Sequence, residues 1–163
     1  MVWLLGGGVV TAGIAQCSQK LYIFIFKLSC KYFCSIEWWV RTVRVREESS
    51  VLCLTSLSTR EQTWVLVGLN SGQVAQYHST SGELERSKEM HEKGVRVVRV
   101  EEDSKVMVTG SYDGTVKLWD SDWSIITLLL ISVAVTDIVS QAGTLYICGD
   151  SGNLACYTRD SDR

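Results

Sequence analysis

The sequence contains no proline and only two histidines, and both shortages limit what the chain can do. Without proline, its turns depend on glycine, serine, asparagine and aspartate. With two histidines and no cluster of other ligands, a metal centre is disfavoured, and we expect no cofactor. Strong charge is missing as well, because 16 basic and 18 acidic residues leave a net charge of −2. Such a chain has no field that attracts nucleic acid or an anionic membrane, so we predict neither as a partner.

Long hydrophobic runs are also missing. The apolar N-terminal stretch is interrupted by three consecutive glycines, Gly6 to Gly8, and lacks the basic residues of a secretory signal. The next apolar stretch, Leu21–Leu28, is too short to span a bilayer and contains Lys27. We therefore predict no transmembrane helix.

Cysteine is present six times, at positions 17, 30, 34, 53, 148 and 156. Cys53, Cys148 and Cys156 lie within apolar, strand-like runs, where a free thiol behaves as a small hydrophobic side chain. We expect these three to be buried and reduced, with disulfides and a metal site at Cys30 and Cys34 as the alternatives. Free thiols indicate a reducing compartment, so the predicted location is the cytoplasm.

A repeat organises most of the chain, whose 163 residues are enough for one domain with a sizeable core. Three segments share an apolar run, a turn ending in glycine, an alternating run and an aromatic residue. Both the turn glycines and the aromatic residues are spaced by 42 and then 38 residues, and a period near 40 with short strands is typical of propeller blades. The glycines are Gly72, Gly114 and Gly152, and the aromatic residues are Tyr77, Trp119 and Tyr157.

The strands of this repeat are predicted from local pattern. Residues 73–77 and 115–119 alternate polar and apolar side chains, as half-buried strands do. The glycine at each turn can adopt the positive φ that a tight hairpin requires. Residues 83–93 have a helix-forming composition but little apolar face, so an edge strand plus a loop is favoured over a helix. Apolar pairs three residues apart recur ahead of each repeat: Val51 and Leu54, Val95 and Val98, Val135 and Ile138.

The segment GSYDGTVKLWD at 110–120 resembles the end of a WD repeat, including the Trp119–Asp120 dipeptide. His91 stands where that family begins its repeat, although Met90 replaces the usual preceding glycine. The resemblance implies a buried tetrad linked by hydrogen bonds within one blade. By position, its members are His91, Thr109, Asp113 and Trp119.

The same residues allow a second interpretation. His91, Asp113 and a serine or threonine could form a hydrolase triad, but the sequence has no G-x-S-x-G turn between a strand and a helix. The tetrad explains these residues and includes Trp119 as well. We therefore predict no catalytic residues and expect that the chain is not an enzyme.

The predicted fold is all-β, a partial β-propeller of about three to four four-stranded antiparallel blades. Residues 1–45 are an irregular N-terminal segment or degenerate blade, 46–90 a blade, 91–129 the WD-repeat blade, and 130–163 an incomplete blade. Within the first segment, residues 9–12, 20–22 and 38–45 suit a second, a third and an outer strand. About eleven extra residues near 24–33 indicate either an insertion or a segment that is not a propeller blade in the original sense.

The resemblance implies a non-catalytic protein–protein interaction scaffold and a fragment of a larger propeller. The alternative is a regulatory propeller segment of a larger multidomain enzyme, such as a kinase or ubiquitin ligase. Arg and Tyr are enriched at binding hot spots, so Lys93, Arg96 and Tyr112, expected on one rim, are the candidate partner-binding residues. Open blade edges also predict self-association.

Overall fold

The structure is a computed structural model that describes residues 21–28, 36–43, 49–59, 62–101, 104–141 and 143–158, the first two ranges as backbone only. These ranges contain thirteen β-strands and no helix. In chain order the strands are β1 Leu21–Leu28, β2 Ile36–Val43, β3 Val51–Ser58, β4 Thr63–Leu69, β5 Gln73–His78, β6 Leu84–Glu89, β7 Val95–Val100, β8 Met107–Ser111, β9 Thr115–Trp119, β10 Ile125–Leu130, β11 Val135–Gln141, β12 Thr144–Gly149 and β13 Leu154–Thr158.

Three antiparallel sheets follow one another along the chain. The first sheet contains β3 to β6, the second β7 to β10 and the third β11 to β13, and in each sheet consecutive strands are neighbours. The predicted all-β, partial-propeller fold is confirmed: the described part of the chain has two four-stranded sheets and one three-stranded sheet besides the two-stranded pair of β1 and β2. The edge strand predicted within residues 83–93 is β6.

The sheets repeat one another in backbone detail. Each has a bulge at the same place, where its first strand pairs with its second, beginning at Val51, Val95 and Val135. Each also has a hydrogen bond from the turn between its second and third strands to the residue before its first strand. The three bonds are Asn70 N–H to Ser50 O at 2.8 Å, Tyr112 N–H to Gly94 O at 3.1 Å and Asp150 N–H to Ala134 O at 3.0 Å.

The core lies between the sheets, which explains why β4 and β8 are buried on both faces. Strand β4 is an almost continuous apolar run, because its two faces contribute to different clusters. Between the first and second sheets lie Leu66, Val74, Met90, Val95, Val98, Met107, Trp119 and Trp123. Between the second and third lie Val97, Val108, Val116, Val135, Ile138, Leu145 and Ile147.

The turn glycine of one sheet holds the segment that leads into the next sheet. Gly72 has a φ of +89°, and its carbonyl accepts hydrogen bonds from the Met90 and His91 N–H groups, both at 3.1 Å. Gly114, with a φ of +79°, likewise accepts from the Ile131 N–H at 2.9 Å. The repeated glycine thus permits a hairpin and also joins consecutive sheets.

At the N-terminal end, β1 and β2 form an antiparallel hairpin with Leu21 opposite Val43. Of the extra residues expected near 24–33, those up to Leu28 belong to β1, and the rest lie outside the described residues. The run LYIFIFKL consists mainly of β-branched and aromatic residues, which favour extending the strand over looping out.

The expected burial of the cysteines is wrong for Cys148 and Cys156, which are free and exposed. Both lie on the face of the third sheet that points away from the second sheet, and no other described strand covers that face. Cys53 is free and half-buried as a residue, but its thiol donates to the Val95 carbonyl at 3.3 Å. Burial raises the pKa of the Cys53 thiol to about 12.

Among the described segments there is no helix of the length and hydrophobicity needed to cross a membrane.

Candidate functional site

Four polar or aromatic residues meet inside the second sheet. His91 lies in the segment between β6 and β7, Thr109 in β8, Asp113 in the turn after β8, and Trp119 at the end of β9. The β8–β9 hairpin brings three of them together, and the hydrogen bonds that the Met90 and His91 N–H groups donate to the Gly72 carbonyl help to position His91. All four residues predicted as a tetrad are therefore neighbours in the structure.

Hydrogen bonds connect the four side chains in a line. His91 Nδ1 is 2.9 Å from Asp113 Oδ2, and His91 Nε2 is 2.7 Å from Thr109 Oγ1. The Trp119 indole N–H donates to Thr109 Oγ1 at 2.9 Å. Each link satisfies a polar group that would be costly to leave unpaired in the interior.

One protonation state of His91 allows every hydrogen bond in this line to form. If Nδ1 carries the proton and donates to Asp113, then Nε2 accepts from the Thr109 hydroxyl, whose oxygen accepts from Trp119. This arrangement needs a neutral imidazole. Burial lowers the pKa of His91, although the carboxylate of Asp113 acts in the opposite direction. The geometry and the direction of the pKa shift therefore agree on a neutral His91.

Asp113 is the acceptor on which the turn depends. Its Oδ1 accepts from the Thr115 N–H at 2.9 Å and the Thr115 hydroxyl at 2.6 Å, while Oδ2 accepts from His91 and from the Glu92 N–H. Burial alone would raise the pKa of Asp113, but the hydrogen bonds from Thr115 and His91 outweigh it and lower that pKa. Asp113 thus remains an anion that fixes both the turn and the imidazole.

Sequence reasoning missed three residues that support the tetrad. Thr115 donates to Asp113, and Ser111 accepts from the Asp113 N–H at 3.1 Å while donating to the Lys93 carbonyl at 3.0 Å. Lys117 Nζ donates to the Met90 carbonyl at 2.6 Å. The sequence does place a serine two residues before the turn aspartate and a threonine two residues after it. This spacing could have predicted the supporting bonds, because serine and threonine side chains commonly form hydrogen bonds with nearby backbone groups.

The geometry does not suit a hydrolase triad. The Thr109 hydroxyl is the oxygen next to His91, yet Thr109 is fully buried and His91 is 2% exposed. A substrate therefore has no path to this hydroxyl, which already accepts from Trp119. Within the described residues, no buried side-chain polar atom is left without a partner, and no group of three or more His, Cys, Asp or Glu residues is arranged to hold a metal ion.

The three predicted partner-binding residues lie beside the same turn, at the surface. The Arg96 guanidinium is 5.9 Å from the centre of the Tyr112 ring, and Tyr112 is 38% exposed. Lys93 is exposed, and its carbonyl is held by Ser111. We call Lys93, Arg96 and Tyr112 the rim patch. Gly94 packs beneath it so closely that an added Cβ would lie 3.2 Å from Tyr112 Cδ2.

Comparison with known proteins identifies the type of repeat. Residues 82–120 match the family described as WD domain, G-beta repeat, which covers the second sheet from β7 to β9 and the tetrad. The chain carries a WD40 repeat. No curated protein matches the sequence significantly.

Solved propellers share the fold over most of this chain. A chain in a structure of ctPRC2 has a TM-score of 0.73 and 16% identity over 94% of this chain. A chain of an active polycomb repressive complex 2 has a TM-score of 0.70 and 13% identity over 93%. The WD40 beta propeller domain of Doa1 has a TM-score of 0.68 and 14% identity over 93%. This chain spans 34%, 33% and 51% of those three chains, respectively.

The neutral His91 of the WD40 repeat leads to a prediction about pH. The folded-state pKa of His91 lies below its ordinary value of 6.5, so below that pH the unfolded chain binds a proton that the folded chain does not. Stability should therefore fall as the pH drops from about 6.5, by up to about 1.4 kcal/mol per pH unit. Asp113, whose pKa is lowered from 3.8, adds a loss only in more acidic solution.

Urea unfolding of the wild type and of His91→Gln at pH 7.5, 6.5 and 5.5 measures this dependence. The variant should be less stable at every pH but should lose less stability between pH 6.5 and 5.5. Equal losses in the two proteins would show that the proton uptake does not occur at His91.

Proposed function

We propose that the chain is a non-catalytic scaffold that binds a protein partner. The observation that carries this proposal is the WD40 repeat, folded so that its histidine, hydroxyl and carboxylate groups are all used in internal hydrogen bonds. A blade of this kind offers a rigid surface, and its buried histidine and threonine are not accessible to a substrate. Occurrence of the same fold in subunits of a larger complex supports the proposal by analogy of fold.

The rim patch is the proposed contact surface. Tyr112 offers a large side chain with few rotatable bonds, and Arg96 adds a planar cation beside it, a combination enriched among binding hot spots. The patch is held from below, because Ser111 bonds to the Lys93 carbonyl and Tyr112 N–H bonds to the Gly94 carbonyl. Such preorganisation reduces the entropy lost on binding. The nearby cations favour a partner with acidic residues around an apolar or aromatic anchor.

We also propose that the chain is part of a larger propeller. Its span of about a third to a half of the similar solved chains supports this. The third sheet supports it too, because Val139, Tyr146 and Leu154 are 54%, 39% and 65% exposed on the face where a further blade would pack. The cytoplasmic location stays a prediction.

Site-specific photo-crosslinking tests the rim patch. A photoreactive amino acid in place of Tyr112 should capture a partner that the same amino acid at Lys105 does not. Lys105 is the matched control, since it is exposed in the β7–β8 turn at the opposite end of the blade.

The captured protein then allows a direct binding measurement. Tyr112→Ala and Arg96→Glu should each weaken its binding at least about ten-fold, since loss of a hot-spot residue costs 1–2 kcal/mol or more. Lys105→Glu should leave the affinity unchanged. Unchanged affinity in both rim variants would rule out the rim patch as the contact surface.

A further inference from the structure

The outermost strands of the first two sheets differ sharply in charge. Strand β6 of the first sheet reads LERSKE, with four charged residues among six. Strand β10 occupies the same place in the second sheet, reads IITLLL and has no charge. Ile125, Ile126, Leu128 and Leu130 are 53%, 50%, 49% and 75% exposed. The edge of β10 opposite β9 has no strand partner among the described residues.

An incomplete propeller does not explain this exposure. Leu128 pairs with Lys117, whose ammonium bonds to the Met90 carbonyl at the junction with the first sheet. Leu128, and Leu130 two residues further on, therefore lie on the face toward the first sheet, which is present and still leaves them exposed. A further blade beyond the third sheet would not cover them. In this respect β10 differs from the open face of the third sheet.

We propose that β10 is a self-association site, where β10 of a second copy pairs with it in antiparallel orientation across a two-fold axis. An exposed apolar edge strand offers unpaired backbone groups to any strand of matching pattern, and charged residues are the usual protection. The first sheet has that protection in β6, and the second sheet lacks it. A second copy supplies an uncharged strand, so no charge is buried without a partner.

The antiparallel orientation keeps the charged ends of the two strands apart. Arg86 lies 4.1 Å from the centre of the Trp123 ring, and Lys88 donates to the Trp123 carbonyl, so two cations lie near the Ile125 end of β10. Neither forms an ion pair with a described residue. The carboxylates of Asp120 and Asp122, in the turn before β10, lie near the same end, so parallel pairing would crowd and desolvate four charged groups of each copy. Antiparallel pairing separates them by the length of a six-residue strand, roughly 20 Å, and at about 0.15 M salt charges so far apart are largely screened.

The apolar area exposed on β10 sets the expected strength of the self-association. Four half-exposed aliphatic side chains present on the order of 400 Å² of apolar surface, which is already large for one patch on a monomer. Two such patches together approach only the lower limit of specific interfaces, about 1,000 Å². We therefore expect a dimer with a dissociation constant on the order of micromolar, in reversible exchange with the monomer.

Sedimentation equilibrium of the full chain between about 1 and 100 µM tests the proposal. The wild-type mass should rise with concentration from 18.2 kDa toward twice that value and no further. Leu130→Lys should remain monomeric throughout. Leu154→Lys is the matched control, because it places the same charge at an equally exposed leucine on the third sheet and should still dimerise.

The alternative outcomes each contradict the proposal. A monomeric wild type, or a Leu130→Lys variant that still dimerises, would overturn it. Loss of association only in Leu154→Lys would assign self-association to the open face of the third sheet, and growth beyond a dimer would exclude a closed two-fold pairing.

Circular dichroism verifies folding, and Leu128→Lys, at the neighbouring exposed position, repeats the test if Leu130→Lys does not fold. The rim-patch residues belong to β7 and to the β6–β7 and β8–β9 connections, not to β10, so partner binding by Leu130→Lys is a separate readout of the proposed scaffold function.

Discussion

Replacing Trp119 with alanine is expected to lower the free energy of unfolding by about 3–5 kcal/mol, the usual cost of truncating a large buried aromatic side chain. The ring is 4% exposed and packs between the first and second sheets with Leu66, Val74 and Val98. Alanine would leave a cavity at that junction and would remove the donor to Thr109 Oγ1. Urea unfolding followed by circular dichroism measures the change.

Trp119→Phe separates packing from hydrogen bonding. Phenylalanine keeps most of the apolar volume but cannot donate to Thr109, so we expect a smaller loss of about 1–2 kcal/mol. Equal losses for the two variants would mean that the hydrogen bond, and not the packing, dominates. A loss below about 1 kcal/mol for Trp119→Ala would show that this ring is not part of the core.

Gly72→Ala is the second substitution for which a large loss of stability is expected. A Cβ on Gly72 would lie 2.1 Å from the His91 carbonyl oxygen, a contact that cannot exist without a backbone shift. The two segments cannot separate freely, because the Gly72 carbonyl accepts from the Met90 and His91 N–H groups. The positive φ of Gly72 adds a further cost. We expect a loss of at least about 3 kcal/mol.

Gly152→Ala is the matched control for backbone conformation. Gly152 has a φ of +77°, close to that of Gly72, but a Cβ there would have no neighbour within 4 Å. Its substitution should therefore cost only the left-handed conformation, about 1–2 kcal/mol. The difference between the two variants measures the contact between the first turn and the His91 segment. If the two losses are equal, that contact contributes nothing.

Much of the fold could be predicted because its signals are local. Alternation within five residues predicts the strands around Val74 and Val116, and a turn glycine predicts the hairpin between neighbouring strands. The resemblance to a WD repeat predicts that four residues lie close together, and the structure brings them together: His91, Thr109, Asp113 and Trp119. The supporting bonds of Ser111 and Lys117 could not be predicted, because they end on backbone carbonyls whose positions depend on the packing of two sheets.

A sheet of this kind also forms without the tetrad. The third sheet has no histidine, and tyrosine takes the place of tryptophan in it, yet it has the same bulge at Val135 and the same backbone bond from Asp150 to Ala134. Backbone geometry and the apolar pattern are thus enough to form such a sheet. The tetrad adds buried, mutually satisfied hydrogen bonds to the second sheet.

The amino-acid sequence by itself determined the repeat, the strand order and the glycine turns, because hairpins form between neighbouring segments and depend on local conformation. Only the tertiary structure decided which faces are covered. Cys148 lies in an apolar run, and it is exposed because no described strand packs over its face of the third sheet. Leu66 belongs to a similar run and is 1% exposed, because the second sheet lies against it. Whether a side chain is buried depends on the surface that packs against it, and the local sequence pattern does not specify whether such a surface is present.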